Sequence, residues 1–281
     1  MLYIPFSSYI PKKSLGQNFL QDTKIINKII HFIKPNHDHL LVEIGPGLAA
    51  LTHLICNYVD YLVVIEIDKK LSDFLKKYSF SCKVLIYERN VLFFDFKKLF
   101  FQENQLLRVF GNIPYNISVQ LIFHLIKFRH FIFDINFMVQ KEVADRLMAL
   151  PGNKCYGRLS IIAQCYYNIY FGFDISPNSF FPKPKVYSSF IKMIPKLNPL
   201  LPFNKMNILQ YITSFAFKKR RKMIRNSLKG IFDENTLFLL NINPDLRAED
   251  LSVQEYCKLS DFYFSKLHNL NPKFYKFIDN S

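Results

Sequence analysis

The strongest constraint on the fold is a regular alternation between short apolar runs and helical periodicity over residues 23–150. The apolar runs predict buried strands over Leu40–Ile44, Tyr61–Ile67, Lys83–Tyr87, Leu106–Phe110 and Phe133–Val139. Apolar residues at helical spacing predict helices over Thr23–Ile33, Leu48–Tyr58, Lys69–Tyr78, Lys141–Leu150 and a segment from about Ser118 to Phe128. Because strands that alternate with helices form βαβ units, the sequence predicts an α/β fold with a mostly parallel sheet.

The rest of the chain predicts a smaller second domain. Tyr166–Phe173 and Val186–Met193 have the pattern of two late strands. After Pro195 the chain becomes a Leu- and Pro-rich linker, and the patterns beyond it are helical. We therefore expect a sheet-containing domain over residues 1–200 and a small all-α domain over residues 201–281.

The chain is strongly basic. It has 37 Lys and Arg against 22 Asp and Glu, which gives a formal net charge of +15. A domain this basic usually binds a polyanion, and nucleic acid is the usual one. Codon bias is a second explanation, because an A+T-rich gene also raises the content of Lys, Asn, Ile and Phe. Charge alone leaves both explanations open.

Cysteine, histidine and hydropathy patterns exclude several classes of protein. The five Cys are odd in number and contain no C-x-x-C pair, which argues against a disulfide framework or a zinc site. The seven His are scattered, so we expect no bound metal. The most apolar long window, Leu121 to Val139, is interrupted by His and charged residues, and the N-terminus lacks a signal-peptide pattern. We expect a cytoplasmic protein that does not bind membranes.

A glycine loop stands where the first strand gives way to the following helix. Gly45-Pro46-Gly47 opens a G-x-G-x-x-A pattern, and glycine there lets the backbone approach a nucleotide-like ligand. Glu66 ends the second strand, which is the usual place for a carboxylate that binds ribose hydroxyls. The loop alone does not separate NAD from S-adenosylmethionine. Pro46 lacks an N–H, which favours the ligand without phosphate.

The tetrapeptide Asn112-Ile113-Pro114-Tyr115 follows the fourth strand, at the edge where open α/β sheets bind ligands. Residues of these types suit methyl transfer to the N6 amine of adenine. This amine is a weak nucleophile, and two acceptors on its N–H bonds favour a pyramidal nitrogen whose lone pair is free to react. The Asn112 side-chain oxygen is one candidate acceptor, and the carbonyl of Ile113 or Pro114 is another. Pro114 stiffens the backbone, and Tyr115 can stack on the purine. Methyl transfer then needs positioning and electrostatics but no strong base.

With these residues the chain resembles the ribosomal RNA adenine N6,N6-dimethyltransferases, a family with a Rossmann-like class I methyltransferase domain. The resemblance is strongest to the bacterial enzymes that dimethylate two adjacent adenosines near the 3′ end of 16S rRNA. It covers nearly the whole chain, because several motifs occur in the family's order. These are Lys13–Leu20, Val42–Gly47, Asn112–Tyr115, Tyr156–Ser160, Phe180–Val186, Arg220–Lys222 and Arg225–Leu228.

The resemblance implies roles for the matching positions. The cofactor would be S-adenosylmethionine, and no metal would be needed. It would be bound by Gln17, Asn18, Leu20, Gly45, Gly47, Glu66, Asn90 and Asn112. Tyr115 and Phe180 would sandwich a flipped adenine, with Asn112 and Pro114 beside it. Asn90 departs from the family, which usually has an Asp there, so the charge is lost but an acceptor oxygen remains. Glu88 is a less suitable substitute, since it lies two residues earlier.

Basic segments predict the RNA contacts. Lys183 and Lys185 flank the expected target pocket. A single predicted helix at the start of the second domain carries Lys218, Lys219, Arg220, Arg221, Lys222 and Arg225. Such a helix can pack one face and present the other to phosphates, although a solvated helix face is the alternative interpretation.

The resemblance implies that the partner is 16S rRNA within the 30S subunit, that the enzyme acts in small-subunit biogenesis, and that it is a monomer. Three alternatives remain. A related enzyme that methylates 23S rRNA is disfavoured by the Tyr156–Ser160 and Arg220–Leu228 motifs. A non-catalytic ribosome assembly factor is disfavoured by the intact Asn112 and Tyr115. The tetrapeptide also disfavours a dinucleotide-dependent oxidoreductase.

Overall fold

The computed structural model describes residues 9–99 and 105–270. The strands are β1 Phe19–Leu20, β2 Leu40–Ile44, β3 Tyr61–Glu66, β4 Lys83–Glu88, β5 Leu107–Asn112, β6 Ile132–Gln140, β7 Tyr167–Ile175, β8 Phe180–Phe181 and β9 Ser188–Pro195. The helices are α1 Thr23–Ile33, α2 Thr52–Ile55, α3 Lys69–Lys77, α4 Ser118–Ile126, α5 Lys141–Met148, α6 Arg158–Tyr166, α7 Met206–Lys218, α8 Ile224–Ser227, α9 Glu234–Leu239 and α10 Val253–Leu270.

The central sheet has the order β4-β3-β2-β5-β6-β9-β7. Every pairing from β4 through β6 is parallel, whereas β9 runs antiparallel to β6. This arrangement confirms the predicted α/β fold with a mostly parallel sheet. Chain order reverses between β2 and β5, so the carboxyl ends of these neighbouring strands border a crevice. Such a crevice is the usual place for a ligand in this class of sheet.

The elements around this crevice form for local reasons. β2 is buried along its whole length, as its continuous apolar run predicts for a central parallel strand. α1 begins after Asp22, whose carboxylate accepts hydrogen bonds from the backbone N–H groups of Lys24 and Ile25. The buried side chains of α1 are Ile26, Ile29, Ile30 and Ile33, at the helical spacing read from the sequence. The predicted helix over Leu48–Tyr58 is mostly turns, and only α2 is helical.

The chain divides into two compact units, and the division differs from the predicted boundary at residue 200. One unit contains the residues up to Ala144 together with Ile169–Pro195. The other contains Asp145–Asn168 together with the residues from Lys196 onward. α6, which was not predicted, explains the difference, because it packs against α7 and α10. The helical unit therefore takes a segment from the middle of the chain.

The five cysteines lie in different parts of the fold. The sulfur atoms of Cys56, at the end of α2, and Cys82, just before β4, lie close together. Cys165 and Cys257 are buried with free thiols, and Cys155 is exposed. Spacing in the sequence could not reveal the Cys56–Cys82 pair, because the parallel pairing of β3 with β4 brings these positions together. Among the described residues, no helix has the length and hydropathy needed to cross a membrane.

Candidate active site

A cavity of about 1110 Å³, measured with its open mouth, lies at the carboxyl ends of β2, β3 and β5. Its walls come from residues 15–20, 43–48, 65–67, 89–91 and 112–117, with a few neighbouring apolar side chains. The predicted site residues that line it are Gln17, Asn18, Leu20, Gly45, Gly47, Glu66, Asn90, Asn112, Pro114 and Tyr115. Segments that are distant in the sequence thus meet around one cavity, at the edge where sheets of this class bind ligands.

The glycine loop has the backbone that only glycine adopts easily. Gly45 and Gly47 have φ values of 65° and 56°, in the left-handed region. A Cβ atom on Gly47 would lie 2.9 Å from the ring of Phe19, so this position also leaves no room for a side chain. The loop therefore brings bare backbone to the cavity wall, as the sequence predicted.

Glu66 is held rigidly at the end of β3. Its two carboxylate oxygens accept hydrogen bonds from the backbone N–H of Gly47 at 3.3 Å and of Asp68 at 2.9 Å. Burial raises the pKa of this carboxyl above its ordinary value, because these backbone hydrogen bonds do not fully offset the loss of solvent. A buried acceptor that faces a cavity suits the hydroxyl groups of a sugar, which restore the missing hydrogen bonds.

Glu43 is a second carboxyl group at the cavity, and sequence reasoning assigned it no role. It is buried on β2 and accepts a hydrogen bond from Thr52 Oγ1 at 2.7 Å. Burial raises the pKa of Glu43 to about 8. One feature of the sequence could have drawn attention to Glu43, because it is a charged residue within an otherwise apolar strand. A charged group is buried in such a strand only at a cost in free energy.

Asn90, and not Glu88, reaches the cavity beyond β4. The Asn90 side-chain oxygen accepts a hydrogen bond from Leu92 N at 3.0 Å and so caps the short turn that follows. Glu88 points instead toward Lys76, with 3.3 Å between Oε2 and Nζ. This geometry agrees with the order of preference inferred from the sequence. The Asn90 amide can still offer polar atoms to a ligand.

The amide of Asn112 is oriented before any ligand enters. Its Nδ2 donates a hydrogen bond of 2.6 Å to the backbone carbonyl of Asn18. Because a carbonyl can only accept, the partner atom must be the amide nitrogen, and Oδ1 is left as an acceptor at the cavity. Next along the chain, the carbonyl of Pro114 accepts from Ile117 N at 3.1 Å, while that of Ile113 has no such partner among the described residues. The Ile113 carbonyl is thus the better second acceptor.

Tyr115 is fixed by a residue that sequence reasoning missed. Its Oη lies 2.6 Å from Oγ of Ser188, the first residue of β9. Ser188 is fully buried, and burial raises the pKa of Tyr115. The hydrogen bond spans 73 positions, so no local pattern could have indicated it. It holds the Tyr115 ring at the cavity wall.

Phe180, which is expected to sandwich a base with Tyr115, is not among the residues that line the cavity. β8 pairs antiparallel with β1, and in this register Phe180 lies opposite Leu20. Neighbouring side chains on a strand point to opposite faces. Phe180 therefore lies in the core at 2% exposure, whereas Phe181 is 47% exposed.

The N-terminal segment is tied down beside the cavity by Asp68. The Asp68 Oδ2 atom lies 2.6 Å from Tyr9 Oη, 2.7 Å from Lys12 Nζ and 3.3 Å from Gln17 Nε2. Gln17 Oε1 also accepts from Lys12 N at 2.8 Å. The side chain of Gln17, a predicted cofactor ligand, is therefore engaged with its own segment and with Asp68.

The basic segment of the helical unit is not one helix, which corrects the prediction. α7 ends at Lys218, a turn follows, and α8 begins at Ile224. The chain turns because Ile224 N and Arg225 N donate to the carbonyls of Leu246 and Pro244. A single helix would also place like charges three and four residues apart, where they repel.

The charged groups of this segment divide into two sets. Arg220 is paired with Glu249 at 2.5 Å and donates to the carbonyl of Lys154, and Arg225 is paired with Asp245. The exposed basic residues are Lys218, Lys219, Arg221 and Lys222. Lys183 and Lys185 of the sheet-containing unit are exposed as well. The exposed Lys and Arg residues, unlike the ion-paired Arg220 and Arg225, are available to contact a large anion.

No group of three or more His, Cys, Asp or Glu within residues 9–99 and 105–270 is arranged to hold a metal ion. The polar groups at the cavity are instead carboxylates, amides and carbonyls. They can bind a sugar, a cation and an amine by hydrogen bonds and charge.

Comparison with known proteins agrees with this geometry. The family model described as ribosomal RNA adenine dimethylase matches residues 11–264. A protein named ribosomal RNA small subunit methyltransferase A from Buchnera aphidicola subsp. Schizaphis graminum is 50% identical over 255 residues, which are 90% of this chain and 93% of the relative. One of the same name from Escherichia coli O81 is 42% identical over 255 residues, 90% of this chain and 93% of the relative.

Solved structures show the same fold. A dimethyladenosine transferase from Plasmodium falciparum has a TM-score of 0.71 at 23% identity, over 88% of this chain and 98% of the other. The 23S rRNA methyltransferase ErmE has a TM-score of 0.64 at 20% identity, over 86% of this chain and 98% of the other. From the family match and the high identity of full-length relatives, we conclude that this chain belongs to the ribosomal RNA adenine dimethylase family of methyltransferases.

Proposed function

We propose that this enzyme transfers methyl groups from S-adenosylmethionine to N6 of two adjacent adenosines near the 3′ end of 16S rRNA, within the 30S particle. The observation that carries the proposal is the oriented amide of Asn112, whose Oδ1 faces the cavity because Nδ2 is bound to Asn18. The relatives at 42–50% identity bear the name of a small-subunit methyltransferase, which supports 16S rRNA over 23S rRNA.

The cavity fits S-adenosylmethionine by the chemistry of its polar groups. Glu66 is a buried acceptor suited to the ribose hydroxyls, and Asn90 offers an amide to the adenine edge. Glu43 adds a carboxyl group suited to a cationic ligand. The bare backbone at Gly45 leaves room for the methionine part. When bound, S-adenosylmethionine supplies a methyl group on a positively charged sulfur, already activated for transfer.

The residues of the tetrapeptide then prepare the target amine. Asn112 Oδ1 and the Ile113 carbonyl accept the two N–H groups of adenine N6, which directs the nitrogen lone pair away from the ring. Pro114 stiffens the backbone, and its own carbonyl is used by Ile117 N. Tyr115 stacks on the purine after it leaves its RNA stack. Since Phe180 is buried, we assign the stacking role to Tyr115 alone.

Electrostatic attraction brings the RNA to the enzyme. We assign phosphate contacts to the exposed Lys183 and Lys185, and in the helical unit to Lys218, Lys219, Arg221 and Lys222. Arg220 and Arg225 are occupied by ion pairs and serve the fold of that unit. The proposed enzyme is a cytoplasmic monomer that acts in small-subunit biogenesis and uses no metal.

Methyl transfer to purified ribosomal subunits tests the proposal. Under-methylated 30S particles should gain label from S-adenosylmethionine at N6 of adenosine, whereas 50S particles should not. Asn112→Ala should lower kcat by about 100-fold or more, because it removes an acceptor made for the transition state. Labelling of 50S particles alone would overturn the choice of substrate. Full activity of Asn112→Ala would overturn the mechanism.

A further inference from the structure

A buried carboxylate outside the cavity holds the segment that forms part of its wall. The side chain of Asp68 has no solvent exposure, yet Asp68 does not line the cavity. Its Oδ2 atom receives Tyr9, Lys12 and Gln17, all from the N-terminal segment. Its Oδ1 atom accepts from Lys70 N at 2.9 Å and so caps α3. Oδ1 therefore caps α3, and Oδ2 binds the N-terminal segment.

The held segment reaches the catalytic amide. Gln17 is followed by Asn18, whose carbonyl accepts the 2.6 Å hydrogen bond from Asn112 Nδ2. Tyr9 packs against Phe19 with 5.7 Å between ring centroids, and Phe19 lies over Gly47. A displacement of residues 9–18 would therefore disturb both the glycine loop and the orientation of Asn112.

The charge of Asp68 matters to this arrangement. Burial alone would raise the pKa of Asp68, but the hydrogen bonds from Lys12 and Tyr9 outweigh it, so the pKa lies below its ordinary value. The buried group is thus ionised and paired with the half-exposed Lys12. Removal of that charge takes from Tyr9, Lys12 and Gln17 the buried acceptor that they share, so the segment loses three contacts at once.

We propose that Asp68 is a positioning residue that fastens residues 9–18 over the bound cofactor and, through the Asn18 carbonyl, keeps Asn112 directed at the target amine. The proposal rests on the proposed function, since it assigns Asp68 to the cofactor site of that methyl transfer. It predicts that cofactor affinity and the rate of the chemical step depend together on a residue that contacts neither cofactor nor RNA.

Asp68→Asn is the sharpest variant. Asn caps a helix as well as Asp does, so α3 should keep its start, while the charge that binds Lys12 is lost. Asp73→Asn is the matched control, because Asp73 is a half-exposed carboxylate on the same helix that pairs with Lys76 at 3.4 Å. Tyr9→Phe removes one hydrogen bond to Asp68 and keeps the ring on Phe19, so it serves as a milder second variant.

Three measurements test the proposal. Hydrogen–deuterium exchange of ligand-free protein should be about tenfold faster in residues 9–20 for Asp68→Asn, and unchanged for Asp73→Asn. Calorimetry with S-adenosylhomocysteine should show affinity weakened about tenfold. Steady-state kinetics should show a raised KM for S-adenosylmethionine together with a lowered kcat. Tyr9→Phe should move each quantity in the same direction by a smaller factor.

The possible failures are distinguishable. Unchanged exchange in residues 9–20, or unchanged affinity despite faster exchange, would overturn the role of Asp68. If Asp68→Asn does not fold, Tyr9→Phe decides by the same two measurements. If the wild type fails to bind S-adenosylhomocysteine, the proposed function falls, whereas the exchange of ligand-free protein still shows whether Asp68 fastens the segment.

Discussion

At the scale of single residues, a cationic ligand should change the protonation of the buried carboxyl groups at the cavity. Glu43 is buried beside Glu66, and burial raises the pKa of Glu43 to about 8. At neutral pH the ligand-free protein therefore carries a proton on Glu43. A cation in the cavity stabilises the ionised form, so we expect binding of S-adenosylmethionine at pH 7 to release up to about one proton. Calorimetry in buffers of different ionisation enthalpy measures this release.

The same group makes stability depend on pH. The ordinary pKa of Glu43 is 4.5 and its folded value is about 8, so the folded state binds more protons between these values. Its contribution is complete below pH 4.5 and is lost as pH rises through 8. Glu43→Gln should flatten the fall in the free energy of unfolding over this range, measured by urea titration. The exposed Glu142→Gln is the control, and an equal slope in Glu43→Gln and wild type would contradict the assignment.

The Tyr115–Ser188 hydrogen bond holds the ring to which we assign the stacking role. Ser188→Ala should lower kcat by about five- to tenfold, because a half-buried hydroxyl loses its partner and the ring loses one fixed orientation. Affinity for S-adenosylhomocysteine should stay within about twofold. Ser189→Ala is the matched control, since Ser189 follows Ser188 on β9 and donates a 2.6 Å hydrogen bond to Asp174 on β7. Equal losses of kcat and cofactor affinity in Ser188→Ala would indicate a general structural defect instead.

Sequence reasoning located those cavity-lining residues whose position depends on local backbone. Gly45, Gly47 and Asn112 could be predicted because a strand end and a turn are visible as patterns. Ser188 and Asp68 could not be predicted, because their roles come from hydrogen bonds between distant segments. The burial of Phe180 could not be predicted either, since a two-residue strand pairing decides which of two adjacent Phe is buried.

At the scale of elements, sequence patterns predicted the strands and amphipathic helices well and the buried helices poorly. α1 and β2 have the predicted bounds, because a clean apolar stripe and a continuous apolar run are unambiguous. α6 was missed because its side chains are buried on nearly every face, so it shows no amphipathic period. It also passes directly into β7 without a Gly or Pro to mark its end.

The basic turn between α7 and α8 is the element whose charge can be tested. The combined variant Lys219→Ala, Arg221→Ala and Lys222→Ala should bind 30S particles more weakly. The slope of log affinity against log salt should fall by roughly 0.7–0.9 for each phosphate that the variant no longer neutralises. Thermal stability should be unchanged, because these side chains are exposed. An unaltered salt slope would remove this turn from the RNA interface.

Arg220→Ala is the matched control for that variant. It breaks the ion pair with Glu249 and the hydrogen bond to Lys154, both within the helical unit. We expect a loss of about 1 kcal/mol in the free energy of unfolding, typical of a partly exposed pair with one further hydrogen bond. The salt slope should stay as in the wild type. A lowered slope with unchanged stability would show that Arg220 contacts RNA after all.

At the scale of the whole molecule, the chain order and the division into compact units differ. The helical unit takes Asp145–Asn168 from the middle of the chain and joins it to the residues after Pro195. Composition located the linker near residue 200, because Pro and Leu accumulate there. It could not reveal that α6 packs with the helices that follow the linker, since the sequence pattern of a buried helix does not identify its packing partners.

Truncation at residue 200 tests this organisation. The shortened chain keeps α6 but loses α7 and α10, against which α6 packs. Apolar side chains of α6 would then be exposed, and each buried aliphatic side chain contributes roughly 1.5–3 kcal/mol. We expect the fragment to aggregate in gel filtration, or to be cut by protease within residues 145–168 under native conditions. A chain ending at Leu270 keeps α10 and should resist cleavage there. A monomeric 1–200 fragment with a protected α6 would mean that residues 1–200 fold independently, as the composition predicts.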